Sequence, residues 1–237
     1  MQDTFDLLSA RLATSGLRIL HSGPPVGNPT DTATGDSTDI WPGPGMTVKS
    51  VLIIGHVGSE FWPYFCDSPE YRDGQDHPLD RWSRRTIQAA AADMAFVSPN
   101  DGPPYPPLHA LTRGGDGGGA LHPSPLGMLV HAQFGLWVAI RGLLLSQVAL
   151  PATQALPAPP ASAFQDCFAA CPVGAFSDEG YDAVACARHL LQNTKAACWS
   201  GCLARQACTV GQDRTYDRDH ARFYMDAFTK AMQRRGV

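Results

Sequence analysis

The strongest constraint in this sequence is the uneven distribution of its cysteines. Six of the seven lie after residue 160, and the segment just before them, PATQALPAPP at residues 151–160, has the composition of a linker. The sequence therefore predicts two parts, a domain over residues 1–150 and a cysteine-rich module over residues 161–237.

The charge and hydropathy of the chain exclude several classes of protein. The net charge is −4 and no basic stripe is present, so we expect no binding to nucleic acid. The most apolar run, residues 128–150, contains Arg141, which predicts buried core rather than a membrane span. The N-terminus lacks the apolar segment of a secretory signal. We therefore expect a soluble, cytoplasmic protein, in which cysteines are thiols or metal ligands more often than disulfides.

The spacing of apolar residues predicts a mixture of helices and strands. An N-terminal helix over residues 1–20 precedes a loop over His21 to Gly45, and a further loop covers residues 100–119. The other predicted elements are a strand at 47–55, a helix at 80–94, a short apolar run at 95–97, apolar runs at 127–130 and 137–145 around a turn at 133–135, and a closing helix at 213–232. Strands separated by a helix predict a mixed α+β or α/β core in the first 150 residues, of which we favour α+β.

The stretch CFAACPVGAF, residues 167–176, has the spacing that ends an iron–sulfur motif. Cys167, Cys171 and Pro172 give C-x3-C-P, but Ala161 and Phe164 stand where the first two ligands of a complete motif belong. Two [4Fe-4S] clusters need eight thiolates, so six permit one cluster and exclude two all-cysteine ones. The alternatives are structural thiols or disulfides left from a lost module, and a zinc site, which the absence of any C-x2-C pair disfavours.

One segment resembles a known family. HAQFGLWVAIRGLLL, residues 131–145, resembles a conserved segment of the CblC-type cobalamin-processing proteins, although Ala132 stands where that family has proline. The resemblance implies a flavin reductase/nitroreductase-like sheet-and-helix domain that binds cobalamin or flavin. It implies cofactor-binding roles for His131, Phe134, Trp137 and Arg141, and the matching arginine of the family is associated with a thiol cosubstrate, glutathione.

The C-terminal part resembles a second family. CFAACPVGAF, YDAVACARHL and CWSGCLARQAC are similar to the cysteine-rich domain of epoxyqueuosine reductases and of related bacterial ferredoxin-like proteins, although Thr209 replaces a proline. The pattern of that family implies that Cys171 binds the same cluster as the later cysteines. The implied metal ligands of a single [4Fe-4S] cluster are Cys171, Cys198, Cys202 and Cys208. Cys167 is then not a ligand, and Cys186, which follows the alternating residues Tyr181-Asp-Ala-Val, is interpreted as a buried thiol.

Each candidate residue also has a purely structural interpretation. Arg141 could form an ion pair with an acid such as Glu60 or Asp80, because a buried guanidinium needs a partner. His131 and Trp137 could be satisfied core residues.

These observations favour an iron–sulfur redox protein, such as a corrinoid- or flavin-dependent reductase that takes a small-molecule cofactor or a thiol cosubstrate. One alternative is a non-catalytic cobalamin-binding or trafficking protein with a degenerate, cluster-free cysteine module. Another is a homodimer-forming domain that has lost its cofactor. No residue is predicted to be catalytic, and whether the chain is an enzyme stays open.

Overall fold

The computed structural model describes residues 2–25, 47–91, 93–100, 119–177 and 180–237. The chain divides into two compact units. The first comprises Met1–Leu121 and Ala139–Pro157, and the second comprises His122–Val138 and Ala158–Val237. The predicted linker at 151–160 therefore spans the return from the first unit to the second, but residues 122–138 also belong to the second unit.

Helices and short strands alternate along the chain. The α-helices are α1 Gln2–Ala13, α2 Trp62–Cys66, α3 Pro69–Arg72, α4 Pro78–Ala90, α5 Gln165–Ala169, α6 Ala183–Gln192, α7 Leu203–Gln206 and α8 Arg218–Arg234. The strands are β1 Arg18–Gly23, β2 Ser50–Val57, β3 Ala95–Val97, β4 Leu121–Pro123, β5 Leu129–His131, β6 Val138–Ser146, β7 Phe176–Ser177 and β8 Gly180–Tyr181. Single 3₁₀ turns cover Ala161–Phe164, Ala197–Ser200 and Gln212–Arg214.

A four-stranded sheet with the order β1-β2-β6-β3 forms the centre of the first unit. The β1/β2 and β3/β6 pairs are antiparallel. Every residue of β2 is buried, which agrees with its unbroken apolar sequence VLII and with its inner position in the sheet. The sequence-based prediction of a mixed α and β fold is confirmed at this level, whereas its flavin reductase-like topology stays a prediction.

Helix α4 covers one side of this unit with an amphipathic face. Leu79, Trp82 and Ile87 are buried on it, and Trp82 lies 5.6 Å from the rings of both Phe61 and Phe65. The spacing of its apolar residues, with a period of about 3.6 residues, predicted this helix. In the structure the helix begins at Pro78, and proline is well tolerated in a first helical turn.

The predicted N-terminal helix, over residues 1–20, is longer than the helix that the structure contains. Helix α1 ends at Ala13, where the amide of Gly16 closes a turn by donating to the Ala13 carbonyl. Leu17 follows that turn, and Leu20 lies in β1. Apolar residues after the turn therefore belong to a strand, and the loop predicted from His21 begins only after Gly23. The remainder of that loop, residues 26–46, and most of the predicted loop at 100–119 lie outside the described residues.

The second unit has a small apolar core that includes two cysteines. Its buried members are Leu126, Val130, Leu136, Ala163, Phe164, Cys167, Ala204 and Cys208. The closing helix α8 runs over Arg218–Arg234, somewhat later than predicted, because the 3₁₀ turn Gln212–Arg214 precedes it. Within the described ranges, no helix has the length and apolar character that crossing a membrane requires.

Candidate functional site

The turn that follows β5 is organised by His131. Its backbone and that of Gly135 exchange two hydrogen bonds of 2.8 Å, and its ring stacks on Phe134 at 4.4 Å between centroids. The imidazole Nδ1 accepts hydrogen bonds from the amides of Gln133 at 3.1 Å and Phe134 at 3.3 Å. An acceptor at Nδ1 requires that this nitrogen carry no proton, so the turn is built on the neutral histidine.

Burial of the His131 ring, together with the nearby charge of His122, lowers the pKa of His131 to about 4. The unfolded chain takes up this proton near pH 6.5, whereas the folded chain resists it until about pH 4. The stability due to neutral His131 is therefore present above pH 6.5 and is lost as the pH falls towards 4.

We predict that acidification from pH 6.5 to 4 removes about 2 kcal/mol of unfolding free energy through this histidine. Urea unfolding at several pH values measures it. His131→Asn should flatten the pH dependence over this window, because the titrating group is gone. The matched control His77→Asn, at an exposed position, should keep the wild-type slope. Equal slopes in wild type and His131→Asn would contradict the assignment.

Trp137 is held by a cation and an aromatic ring of the second unit. The guanidinium of Arg205 lies 4.9 Å from the Trp137 ring centroid and 4.2 Å from that of Tyr216, and it donates to the Leu136 carbonyl and, at 2.8 Å, to the Tyr216 hydroxyl. The indole Nε1 of Trp137 is buried and has no hydrogen-bond partner among the described residues. Arg205 was not predicted as a site residue, since its contacts join distant parts of the sequence.

Arg141 belongs to the first unit. Its Nε donates to the carbonyl of Ile140 at 2.9 Å, and its Nη1 lies 3.6 Å from Oδ1 of Asp80. This contact is one of the two ion pairs that the sequence suggested as a structural role, while Glu60 pairs with Arg18 instead. Of the four predicted cofactor-binding residues, the structure thus brings His131 and Phe134 into contact, places Trp137 on Arg205, and pairs Arg141 with Asp80.

A cleft of about 600 Å³ lies elsewhere in the first unit. It is lined by residues of α1, α2 and α4 and of the turns that follow α1 and α2. None of the predicted cofactor-binding residues or cysteines lines it.

None of the seven cysteines, all of which lie in the described part of the chain, forms a disulfide. Cys167 and Cys208 are both fully buried in the core of the second unit and form a hydrogen-bonded pair. Burial is the main reason why the pKa of Cys167 rises to about 11, with the nearby Cys208 adding to it. Cys167 is therefore a neutral thiol in an apolar setting.

Four other cysteines form a second group, which we call the thiol quartet: Cys171, Cys186, Cys198 and Cys202. Each of the six pairs within the quartet interacts electrostatically. The sequence-based ligand set shares three members with the quartet. The fourth member here is Cys186, whereas the predicted Cys208 lies beside Cys167.

Separate elements bring the quartet together. Cys171 follows α5, and Cys186 lies in the first turns of α6, whose start is capped by the Asp182 carboxylate accepting from the amide of Ala185 at 2.9 Å. Cys198 lies in the 3₁₀ turn Ala197–Ser200, which packs on α8, and Cys202 directly precedes α7. The alternating residues that start at Tyr181 and precede Cys186 lead from the end of β8 into α6, and Cys186 is partly rather than fully buried.

Backbone amides point at the quartet sulfurs. The Ala175 amide donates to Cys171 Sγ at 3.3 Å, the Leu203 amide donates to Cys198, and the amides of Ala204 and Arg205 donate to Cys202. Hydrogen bonds of this kind favour a thiolate over a thiol. The backbone is thus arranged to stabilise negative charge on these sulfurs.

Burial acts in the opposite direction. It is the largest cause of the raised pKa values of Cys186, Cys198 and Cys202, and the charges of the neighbouring quartet members raise them further. Four thiolates cannot share this volume without a compensating cation, so the quartet is either protonated or bound to metal. Among the described residues, no three histidine, cysteine, aspartate or glutamate side chains are arranged to hold a metal ion.

Comparisons with known proteins give little further information. No family model matches the chain, and no curated protein matches it. A solved structure that is similar is the B12-trafficking protein CblC of C. elegans, described as a homologue of human MMACHC, with 13% sequence identity and a TM-score of 0.47 over 96% of this chain and 94% of that one. A similarity this weak identifies neither a fold family nor a function.

Proposed function

We propose that the second unit is a one-cluster iron–sulfur module, that the thiol quartet holds a single [4Fe-4S] cluster, and that the chain is a redox protein. The observation that carries this proposal is the mutual proximity of four cysteines whose sulfurs accept hydrogen bonds from backbone amides and from one tyrosine hydroxyl. Four thiolates are the usual ligand set of such a cluster.

Zinc is the less favoured occupant of the quartet, because the sequence contains no C-x2-C pair. A [4Fe-4S] cluster is proposed because four thiolates are its usual ligands.

The chemistry such a cluster supplies, when bound, is the uptake and release of one electron. The quartet residues would hold it, and the amide donors of residues 175 and 203–205 would stabilise its charge. The positive charge of Arg205, which favours the thiolate of Cys202, would act in the same direction. A corrinoid or flavin as the electron acceptor is a proposal that rests on the sequence resemblance, which implied cofactor-binding roles for His131, Phe134, Trp137 and Arg141.

The second candidate is a cobalamin-binding protein without a cluster. The absence of a metal-holding group among the described residues favours it, as do the raised pKa values of Cys186, Cys198 and Cys202, which favour their thiol forms. In this case the quartet is a structural feature of the second unit.

Metal analysis under anaerobic conditions separates the two candidates. Protein purified or reconstituted with iron and sulfide without oxygen should carry about four irons and four sulfides per chain and should show visible absorption that bleaches on reduction. Protein that stays free of iron after reconstitution, but changes the absorption spectrum of added cobalamin, would contradict the cluster and support the second candidate.

A further inference from the structure

The cleft in the first unit is lined by two arginines from different helices. Arg11, near the end of α1, donates from Nη1 to the carbonyl of Ala90, the last residue of α4, at 3.3 Å. Arg85, on α4, donates from both Nε and Nη2 to the carboxylate of Glu70, the second bond at 2.9 Å. Contacts within the protein therefore hold both guanidinium groups in place, and each keeps N–H donors that these contacts do not use.

The charge of the cleft is positive. The carboxylate of Glu70 neutralises Arg85. Asp67, which also lines the cleft, pairs with Arg72. Among the residues that the structure describes, no carboxylate pairs with Arg11. An anionic group beside Arg11 therefore gains a charge-assisted hydrogen bond, and Arg85 offers further donors in the same cleft.

Aromatic and hydroxyl side chains line the rest of the cleft. Trp82 is only 3% exposed and packs on the rings of Phe61 and Phe65, which makes it a fixed part of the wall. Tyr64 is 50% exposed, so much of its ring is left uncovered by the protein. Within the described part of the chain, the hydroxyls of Tyr64 and Thr86 have no hydrogen-bond partner. A flat organic ring can lie against Tyr64 while its polar substituents bind these hydroxyls.

We propose that this cleft binds a small organic anion that carries a carboxylate or a phosphate on a flat ring. The anionic group binds Arg11, and the ring lies against Tyr64. The volume of about 600 Å³ is typical of small-molecule sites, and a lone inorganic ion would leave most of it empty. This site is separate from the thiol quartet, because no cysteine lines it.

The test is a calorimetric titration of the full chain with phenyl phosphate and with benzoate, which carry the two anionic groups on the same ring. At least one of them should bind in the millimolar range or tighter, and the stronger of the two identifies the preferred group. Arg11→Gln should weaken that binding about tenfold or more, because a hydrogen bond to a charged group is lost. The matched control Arg84→Gln removes the same charge from α4, but this guanidinium lies over Phe96 at 5.0 Å and does not line the cleft. It should leave the affinity unchanged, and equal losses in the two variants, or no binding of either probe, would overturn the proposal.

Two further measurements test the ring and the anion separately. Tyr64→Ala should weaken the binding of both probes, because it removes the surface on which their ring lies. Benzyl alcohol, which has the ring without the charge, should bind more weakly than the anions. Binding of benzyl alcohol as tight as that of the anions would overturn the proposal.

Amide chemical shifts of the wild-type chain give a measurement that needs no variant. Addition of the bound probe should shift amides most strongly over residues 11–15 and 85–90, which belong to the lining segments of α1 and α4. Shifts confined to other segments would overturn the proposal. Neither measurement depends on iron, so its outcome is distinguishable from that of the metal analysis.

Discussion

Replacing Cys186 by alanine is expected to abolish the cluster, from about four irons per chain to almost none, whereas Cys208→Ala is expected to retain it. Cys186 belongs to the quartet, and its loss leaves three thiolates for a site that needs four. Cys208 lies with Cys167 in the apolar core, so its truncation should cost stability and leave the ligands in place. Iron and sulfide content after anaerobic reconstitution measures both effects.

The same pair of variants decides between the two ligand sets. The sequence pattern implied Cys208 as the fourth ligand, and the structure groups Cys186 with the other three. Iron that disappears in Cys208→Ala and persists in Cys186→Ala would favour the set implied by the sequence. Cys66→Ala, in the first unit, controls for the loss of a thiol far along the chain from the quartet, and it should keep the wild-type iron content.

Gly135→Ala is expected to destabilise the second unit by about 3 kcal/mol. Gly135 has a φ of +60°, and an added β-carbon would collide with the backbone carbonyl of Val210. Gly211 faces Gly135 across this contact, and a β-carbon at Gly211 would meet the carbonyl of Phe134. Two backbone segments touch at this point with no room for a side chain, and one of them directly follows Cys208.

Gly174→Ala is the matched control for this prediction. Gly174 has a φ of +58°, and an added β-carbon would meet nothing within 4 Å. This variant should therefore show only the cost of a left-handed alanine, about 1 kcal/mol. Urea unfolding measures both, and the difference reports the packing of the two segments. Equal losses in Gly135→Ala and Gly174→Ala would show that this contact contributes nothing to stability.

Local sequence patterns sufficed for several elements of the fold. The apolar run that ends at Gly55 predicted a buried strand. The helical spacing of Trp82 and Ile87, in an alanine-rich segment, predicted a helix. The end of α1 was missed because apolar residues on both sides of Gly16 continue a helical spacing by chance. Leu17 and Leu20 are buried, but a turn separates them from the helix.

The candidate site was less accessible from sequence, because its contacts are long-range. Spacing linked Cys198 to Cys202, and the family resemblance implied Cys171. Nothing local shows that a cysteine on a helix, Cys186, belongs to the same group. The contact of Arg205 with Trp137 likewise joins residues that lie far apart in the chain. The grouping of residues 122–138 with the C-terminal segment has no compositional signal, since this segment contains no cysteine.

The most direct test of the central claim is the mass of the intact folded chain, measured by native mass spectrometry under anaerobic conditions after reconstitution. We predict a species with the mass of the polypeptide plus four irons and four sulfides, less the protons released from the ligating thiols. A spectrum that contains only the bare polypeptide, with all seven thiols protonated, would contradict the account and favour a cluster-free protein.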